Sequence, residues 1–185
     1  LSSIKDLLNS LFPKAKMIFF LFMDIILKNK IIYLNDYKIK CAIGKRGIGN
    51  KKKEGDQITP KGKFKIKTIL YRKDRISNFN SRIIKLPIQK NMGWCDDPYS
   101  KHYNKLIKFP FKYSAEKLYR KDSTYDIILV LNYNLNPVRK GKGSAIFIHI
   151  AKKNYKKTLG CIAVSKKNLK KIIKKINKST TVNIS

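Results

Sequence analysis

The sequence predicts one mainly β domain carrying a single C-terminal α-helix. Three observations lead there. Short apolar segments rich in Ile, Leu and Tyr recur along the chain, separated by turns containing Asn, Asp or Gly. Two of them, "YDIILVLNYN" (125–134) and "SAIFIHI" (144–150), are almost continuously apolar, as suits strands covered on both faces. One stretch near the end places its apolar residues at helical spacing. At 185 residues the chain has the size of a single domain able to bury a real core.

From the N-terminus, "KAKMIFFLFMDIIL" sets basic residues before a short apolar run, as a signal peptide does. Asp24 interrupts the run, and no small-residue cleavage site follows. The run is also too short and broken for a membrane-spanning helix. Residues 1–24 are therefore set apart as an N-terminal extension or signal-like segment, and residues 25–185 as the domain. In "DIILKNKIIYLNDYKIKCAIG" the apolar runs are divided at Lys28-Asn29-Lys30 and at Asn35-Asp36, two turn sites between β-rich segments. Tyr37, Ile39 and Cys41 alternate with Lys38 and Lys40, the period of a half-buried strand, so Cys41 reads as a small core residue.

"GKRGIGNKKKEGDQ" is glycine-rich and charged and reads as a loop, without the spacing of a phosphate-binding motif. "TPKGKF" reads as a Pro-containing turn leading into a strand through Phe64, Ile66, Thr68 and Leu70. Residues 72–122 are irregular. "LNPVRKGKG" connects the two most apolar strands. At the end, Ser165 is a good N-cap, and Leu169, Ile172, Ile173 and Ile176 form one helical stripe.

The formal net charge is +32, from 43 Lys and Arg against 11 Asp and Glu. Such charge suggests an anionic partner, a nucleic acid, cell wall or membrane surface. Only six of the basic residues are Arg, the residue favoured for base-edge and bidentate phosphate recognition. The charge is also spread over nearly every element. A specific nucleic-acid partner is therefore not expected; the charge reads as compositional bias and solubility, with affinity for an anionic cell-wall or membrane surface as a side effect. The nine Phe and ten Tyr exclude a disordered polyelectrolyte. Three scattered cysteines (41, 95, 161) suggest neither a disulfide framework nor, lacking a CxxC pair, a zinc site.

His149 ends an apolar run, and Cys161 follows twelve residues on, directly behind Gly160. A polar loop of that length can return the thiol to the imidazole, and a histidine-activated cysteine is a nucleophile for acyl transfer. Gly160 would let a substrate carbonyl approach the backbone, with the amides around Gly160 and Cys161 as an oxyanion hole. Lys152, Lys153, Lys156 and Lys157 would favour the thiolate. On spacing alone, a buried Cys beside a satisfied core His is the competing reading.

Four motifs add to this pattern. "TPKGKF", "GSAIFIHI" and "TLGCIAVSKKNL" stand in the order and spacing of the L,D-transpeptidase catalytic domain (YkuD-like) family, which this sequence resembles from about Ile25 to Ile176. "GWCDDPYSKHYN" resembles the branch in which such a segment precedes the catalytic strand. The resemblance implies an L,D-transpeptidase-like β-sandwich and a cysteine acyltransferase of the cell envelope. Such an enzyme needs no cofactor or metal and acts on peptidoglycan stem peptides through a thioester, forming cross-links; a monomer is expected. It implies Cys161 as nucleophile, His149 as general base, Gly160 as the glycine before the nucleophile, and the Ile150 carbonyl as the group orienting His149. This sequence departs from better-known members in three ways. Leu159 replaces a second His, Ala163 stands where Arg or Asn is common, and the His149–Cys161 interval is shorter.

The "GWCDDPYSKHYN" segment is expected to wall the cleft, with Trp94, Asp96, Asp97, Tyr103 and Asn104 as substrate-binding residues and the aspartates facing a cationic amine. Metal binding by Asp96, Asp97 and His102 is the weaker reading there. Cys95 with His102 is an alternative nucleophile–base pair. Two other function classes remain open: a peptidoglycan endopeptidase or amidase on the same fold, and a non-enzymatic basic module for nucleic acid or another anionic polymer.

Overall fold

The structure is a computed structural model that describes residues 24–77 and 79–185. The signal-like segment lies outside the described residues except for Asp24. That carboxylate accepts hydrogen bonds from Thr181 and Asn183 near the C-terminus.

Strands β1 (Ile25–Lys28), β2 (Ile31–Leu34) and β3 (Tyr37–Ala42) form an antiparallel meander turning where the sequence indicated. Asn29 and Lys30 both take positive φ (50° and 61°), which matches the twist of a two-residue hairpin. Ile25, Leu27, Ile32 and Leu34 are buried, and so is Cys41. Tyr37 departs from the expected alternation. It is 40 % exposed at the strand's start, its ring below the Lys171 and Lys175 ammoniums at 5.3 Å.

The glycine-rich loop contains a short strand, β4 (Ile48–Gly49), parallel to β5 (Thr59–Pro60). Thr59-Pro60 is thus strand where the sequence suggested a turn, and Lys61 alone separates it from the next strand. Next come the long β6 (Gly62–Tyr71) and the short β7 (Lys85–Pro87). The segment read as irregular holds a three-stranded antiparallel sheet of β8 (Met92–Cys95), β9 (Leu106–Lys108) and β10 (Ala115–Lys117), in the order β10-β8-β9. β11 (Ile127–Leu131), β12 (Phe147–Ile150) and β13 (Ile162–Val164) follow, every residue buried. Helix α1 (Lys166–Lys175) begins at Ser165, whose side chain accepts the Asn168 amide at 3.2 Å. A final strand, β14 (Thr181–Ile184), pairs with β1 in parallel and with β6 antiparallel.

The main sheet runs β11-β12-β13-β3-β2-β1-β14-β6-β7, and β6 also pairs with β11. One layer is β1, β2 and β14, the other β11, β12 and β13. β3 and β6 pair with both, so the sandwich is closed at both edges and the strand-edge hazard of an open sheet is largely removed. The interior core joins Ile25, Leu27 and Ile32 of one layer to Leu129, Ile148 and Val164 of the other. The helix stripe of Leu169, Ile172, Ile173 and Ile176 packs into the same core.

A second apolar cluster lies on the outer face of β11 and β12. There Ile128, Val130 and Phe147 meet Trp94, Leu118 and Tyr125. The β8–β9–β10 sheet therefore forms a cap over that face. Burial from both sides explains why β11 and β12 read as continuous apolar runs.

Candidate active site

β12 and β13 run parallel, with Ile148 opposite Ile162 and His149 opposite Ala163. Successive side chains of a strand alternate between faces. Ile148, Ile150, Ile162 and Val164 enter the interior core. Phe147 and His149 point the other way, toward the cap. Cys161, one residue before β13, packs against the cap-side cluster. Thiol and imidazole thus lie on one face of adjacent strands, diagonally offset, and both line a cavity of about 800 Å³.

His149 is 6 % exposed, its ring edge-on to Tyr125 with centroids 5.3 Å apart. Its Nδ1 lies 3.0 Å from the Ile150 carbonyl oxygen. A carbonyl only accepts, so Nδ1 carries the hydrogen, and the neutral ring keeps its lone pair on Nε2. Burial pushes the imidazole down to about 4, with the Arg120 and Lys152 cations adding to it and the Ile150 bond opposing. The ring is therefore neutral at neutral pH.

The Cys161 thiol donates to the Ala145 carbonyl at 3.1 Å. Burial pushes it up to about 12, and the Glu116 carboxylate adds to this. The Phe147 amide and the Lys51 cation oppose. The resting pair is a thiol and a neutral imidazole, and among the described residues no hydrogen bond joins them. The expected role of the loop lysines needs correcting. Lys152, Lys156 and Lys157 line the cavity, but the cation acting on the sulfur is Lys51, and burial outweighs it.

Gly160 sits at φ 142°, where a Cβ would stand 3.1 Å from the Ile58 carbonyl oxygen. Thr59, fully buried in the "TPKGKF" motif, fixes this turn. Its hydroxyl donates to Gly160 O at 2.9 Å and accepts the Gly44 amide at 2.8 Å. Thr158 tightens the turn from the other side, donating to Cys161 O at 2.5 Å and accepting the Gly160 amide at 3.2 Å. Of the two amides expected to form an oxyanion hole, that of Gly160 is therefore already engaged.

The cap residues divide. Asp96 and Asp97 line the cavity. Trp94, Tyr103 and Asn104, expected to touch substrate, are buried with their polar atoms turned to protein partners. Asn104 Oδ1 accepts from Trp94 Nε1 at 2.9 Å and from the Ala145 amide at 3.0 Å, while its Nδ2 donates to Tyr133 and Asn134 carbonyls. The Tyr103 hydroxyl accepts the Gly143 amide at 3.0 Å and donates to Glu54. They support the segment 143–146 that bears Ala145 and leads into β12, and do not form the cavity surface. The alternative pair does not converge: Cys95 is fully buried in β8, whereas His102 is exposed beside Phe111.

Sequence reasoning missed several residues here. Ser144 and Ala145 lie inside "GSAIFIHI" and Thr59 inside "TPKGKF", so those motifs marked their neighbourhood without their roles. Glu116, which accepts the Tyr125 hydroxyl at 2.7 Å and whose carboxyl is raised by burial, carried no signal. Among the described residues, two buried side-chain atoms lack a hydrogen-bond partner, Asp96 Oδ1 and Ser144 Oγ, and both residues line this cavity. Leu159, in the place of a second histidine, is 66 % exposed on the cavity lining, and Ala163 is buried beside His149.

No curated protein matches the sequence. Among solved structures, the chain is similar to the helical cell shape determining protein Pgp2 from Campylobacter jejuni, in its unaltered form and as a point mutant. Each likeness has 20% identity and a TM-score of 0.44, covering 89% of this chain and 46% of that one. The chain thus spans less than half the length of that protein. The family model of the L,D-transpeptidase catalytic domain (YkuD) matches residues 24–184, from Asp24 through the last strand and across every motif that builds the cavity, and the chain belongs to that family.

Proposed function

We propose that this chain is a cysteine acyltransferase of the cell envelope that acts on peptidoglycan stem peptides, with Cys161 as nucleophile and His149 as general base. The observation that supports this most is the shared cavity. One wall presents a thiol and an imidazole whose Nδ1 is committed to the Ile150 carbonyl, leaving Nε2 to take a proton.

The resting pair is neutral, so proton transfer accompanies attack. As substrate displaces the Ala145 contact, the thiol proton passes to Nε2 and sulfur bonds to the stem-peptide carbonyl carbon. The imidazolium then protonates the leaving amine as the C–N bond breaks, and a thioester remains. An amine from a second stem attacks the thioester and gives a proton to Nε2; the C–S bond breaks and the imidazolium returns that proton to sulfur, restoring thiol and neutral imidazole. The Cys161 amide is the remaining candidate for the oxyanion site. Asp96 and Asp97 supply negative charge for a stem-peptide ammonium, and Ser144 Oγ and Asp96 Oδ1 offer unmet hydrogen bonds to it.

The test is incubation with disaccharide-tetrapeptide fragments and chromatography of the products. A cross-linked dimer that disappears in Cys161→Ala supports the proposal. Cleaved monomer alone would assign the site to a hydrolase, and dimer formation surviving in Cys161→Ala would refute the nucleophile.

A further inference from the structure

The glycine-rich, charged loop contains a lysine that is not solvated. The Lys51 side chain is 3 % exposed, its ammonium 2.5 Å from Asp56 Oδ1 and 3.2 Å from the Ile58 carbonyl oxygen. Asp56 is equally buried. Its Oδ2 accepts the Lys52 amide at 2.8 Å and its Oδ1 the Ile58 amide at 3.1 Å. Burial would raise that carboxyl, but Lys51 and these two amides outweigh it and hold it below its ordinary range. The pair is fixed and almost wholly enclosed.

Its placement is specific. The Lys51 arm passes two glycines, each opening a segment that carries the chemistry. A Cβ on Gly143 would stand 2.3 Å from Lys51 Cε, and a Cβ on Gly160 would stand 3.6 Å from Lys51 Nζ. Gly143 leads to Ala145, whose carbonyl holds the thiol, and Gly160 precedes Cys161 itself. Lys51 also lines the cavity. A buried cation next to the residue that precedes the nucleophile acts in a low-dielectric setting, where its field is little screened by salt or water.

We propose that Lys51 is a positioning residue for Cys161: a fixed interior cation, held by Asp56, that stabilises the sulfur anion as its proton leaves for His149. Glu116 is the opposing charge on the same sulfur. The proposal deepens the acyl-transfer reading and rests on it for its biological purpose, but its test needs no acyl substrate.

That test measures the pH dependence of Cys161 alkylation by iodoacetamide, where the sulfur anion displaces iodide, followed by peptide mass spectrometry. At pH below the thiol midpoint the rate tracks the anionic fraction, so one unit of midpoint shift is about tenfold in rate. Lys51→Met is expected to slow alkylation about tenfold or more and move the midpoint upward. Asp56→Asn, which keeps the cation and removes its counter-charge, is expected to speed it, and Lys51→Arg to stay near wild type. A merely structural ion pair would give Lys51→Met and Asp56→Asn the same sign. Changes of the same sign, or no change in Lys51→Met, would overturn the proposal. Cys41 and Cys95 are buried and report folding, since both label when the chain opens. Should Lys51→Met unfold, the sign of Asp56→Asn decides. Failure of cross-linking with these opposite signs intact would count against acyl transfer and not against Lys51.

Discussion

The two walls of the cavity reach their geometry by different means. β11, β12 and β13 are aligned by main-chain ladders and buried on both faces, so His149 stands on a frame that few side chains need to support, and only the turn into Cys161 adds the ties of Thr59 and Thr158. The cap is three strands of three or four residues, tied down by side chains bonded to main chain. Asn104 bridges Trp94 to Ala145, and Asp97 accepts the Tyr99 and Ser114 amides. Arg72, buried at the end of β6, donates to the Arg120 carbonyl at 2.7 Å and stacks on Tyr119. A ladder spreads its order over many bonds, whereas a side-chain tie concentrates it, so one substitution can unseat the cap but not the strands beneath.

Asn104→Ala tests that contrast most severely. It leaves Trp94 Nε1 and the Ala145 amide without acceptors in a buried setting and removes two donors. We expect a loss of roughly 3 kcal/mol, seen as a melting temperature lower by about 6–12 °C. Thiol reactivity should change with it, because Ala145 holds the sulfur. A variant with wild-type melting would show that the cap does not depend on this residue.

The opposite wall has a pH signature of similar size. The ordinary histidine value is 6.5, and in the fold His149 lies at about 4. Between those values the unfolded chain holds the proton and the folded chain does not, so stability rises with pH across this window. Acidification from 6.5 to 4 should therefore cost roughly 3 kcal/mol, and His149→Phe should flatten that slope. Urea midpoints at a series of pH values measure both, and an unchanged slope in the variant would contradict the burial of a neutral ring.

Thr59→Val is the mildest probe. It keeps the shape but leaves the Gly44 amide and the Gly160 carbonyl unmet, at about 1–3 kcal/mol. Because this tie holds the turn before Cys161, the acylation rate should fall more than stability alone explains.

The same contrast governs what could be read in advance. The meander, the two apolar strands and the helix were legible because their burial follows a period: alternation, a continuous run, or the stripe of Leu169, Ile172, Ile173 and Ile176. His149, Cys161 and Gly160 were legible because they sit at the ends of those strands within recognisable motifs. The cap was not, since strands as short as Leu106–Lys108 have no period to detect and gain their order from residues distant in sequence. β14 was missed for a similar reason, as its partner β1 lies at the other end of the domain. Lys51 and Asp56 stand in a run of charges where the expected state is solvation, and only the folded chain reveals that these two are enclosed. Trp94, Tyr103 and Asn104 drew notice in the right segment for the wrong reason: they brace the wall and do not form its surface.

The most direct test of acyl transfer at this site is intact-protein mass spectrometry after exposure to a carbapenem, whose strained amide carbonyl a nucleophilic thiolate opens to leave a covalent adduct. One adduct, mapped to Cys161, absent from Cys161→Ala and formed at least 100-fold more slowly by His149→Ala, is the predicted result. An adduct on Cys95, or equal labelling in the Cys161→Ala protein, would contradict it.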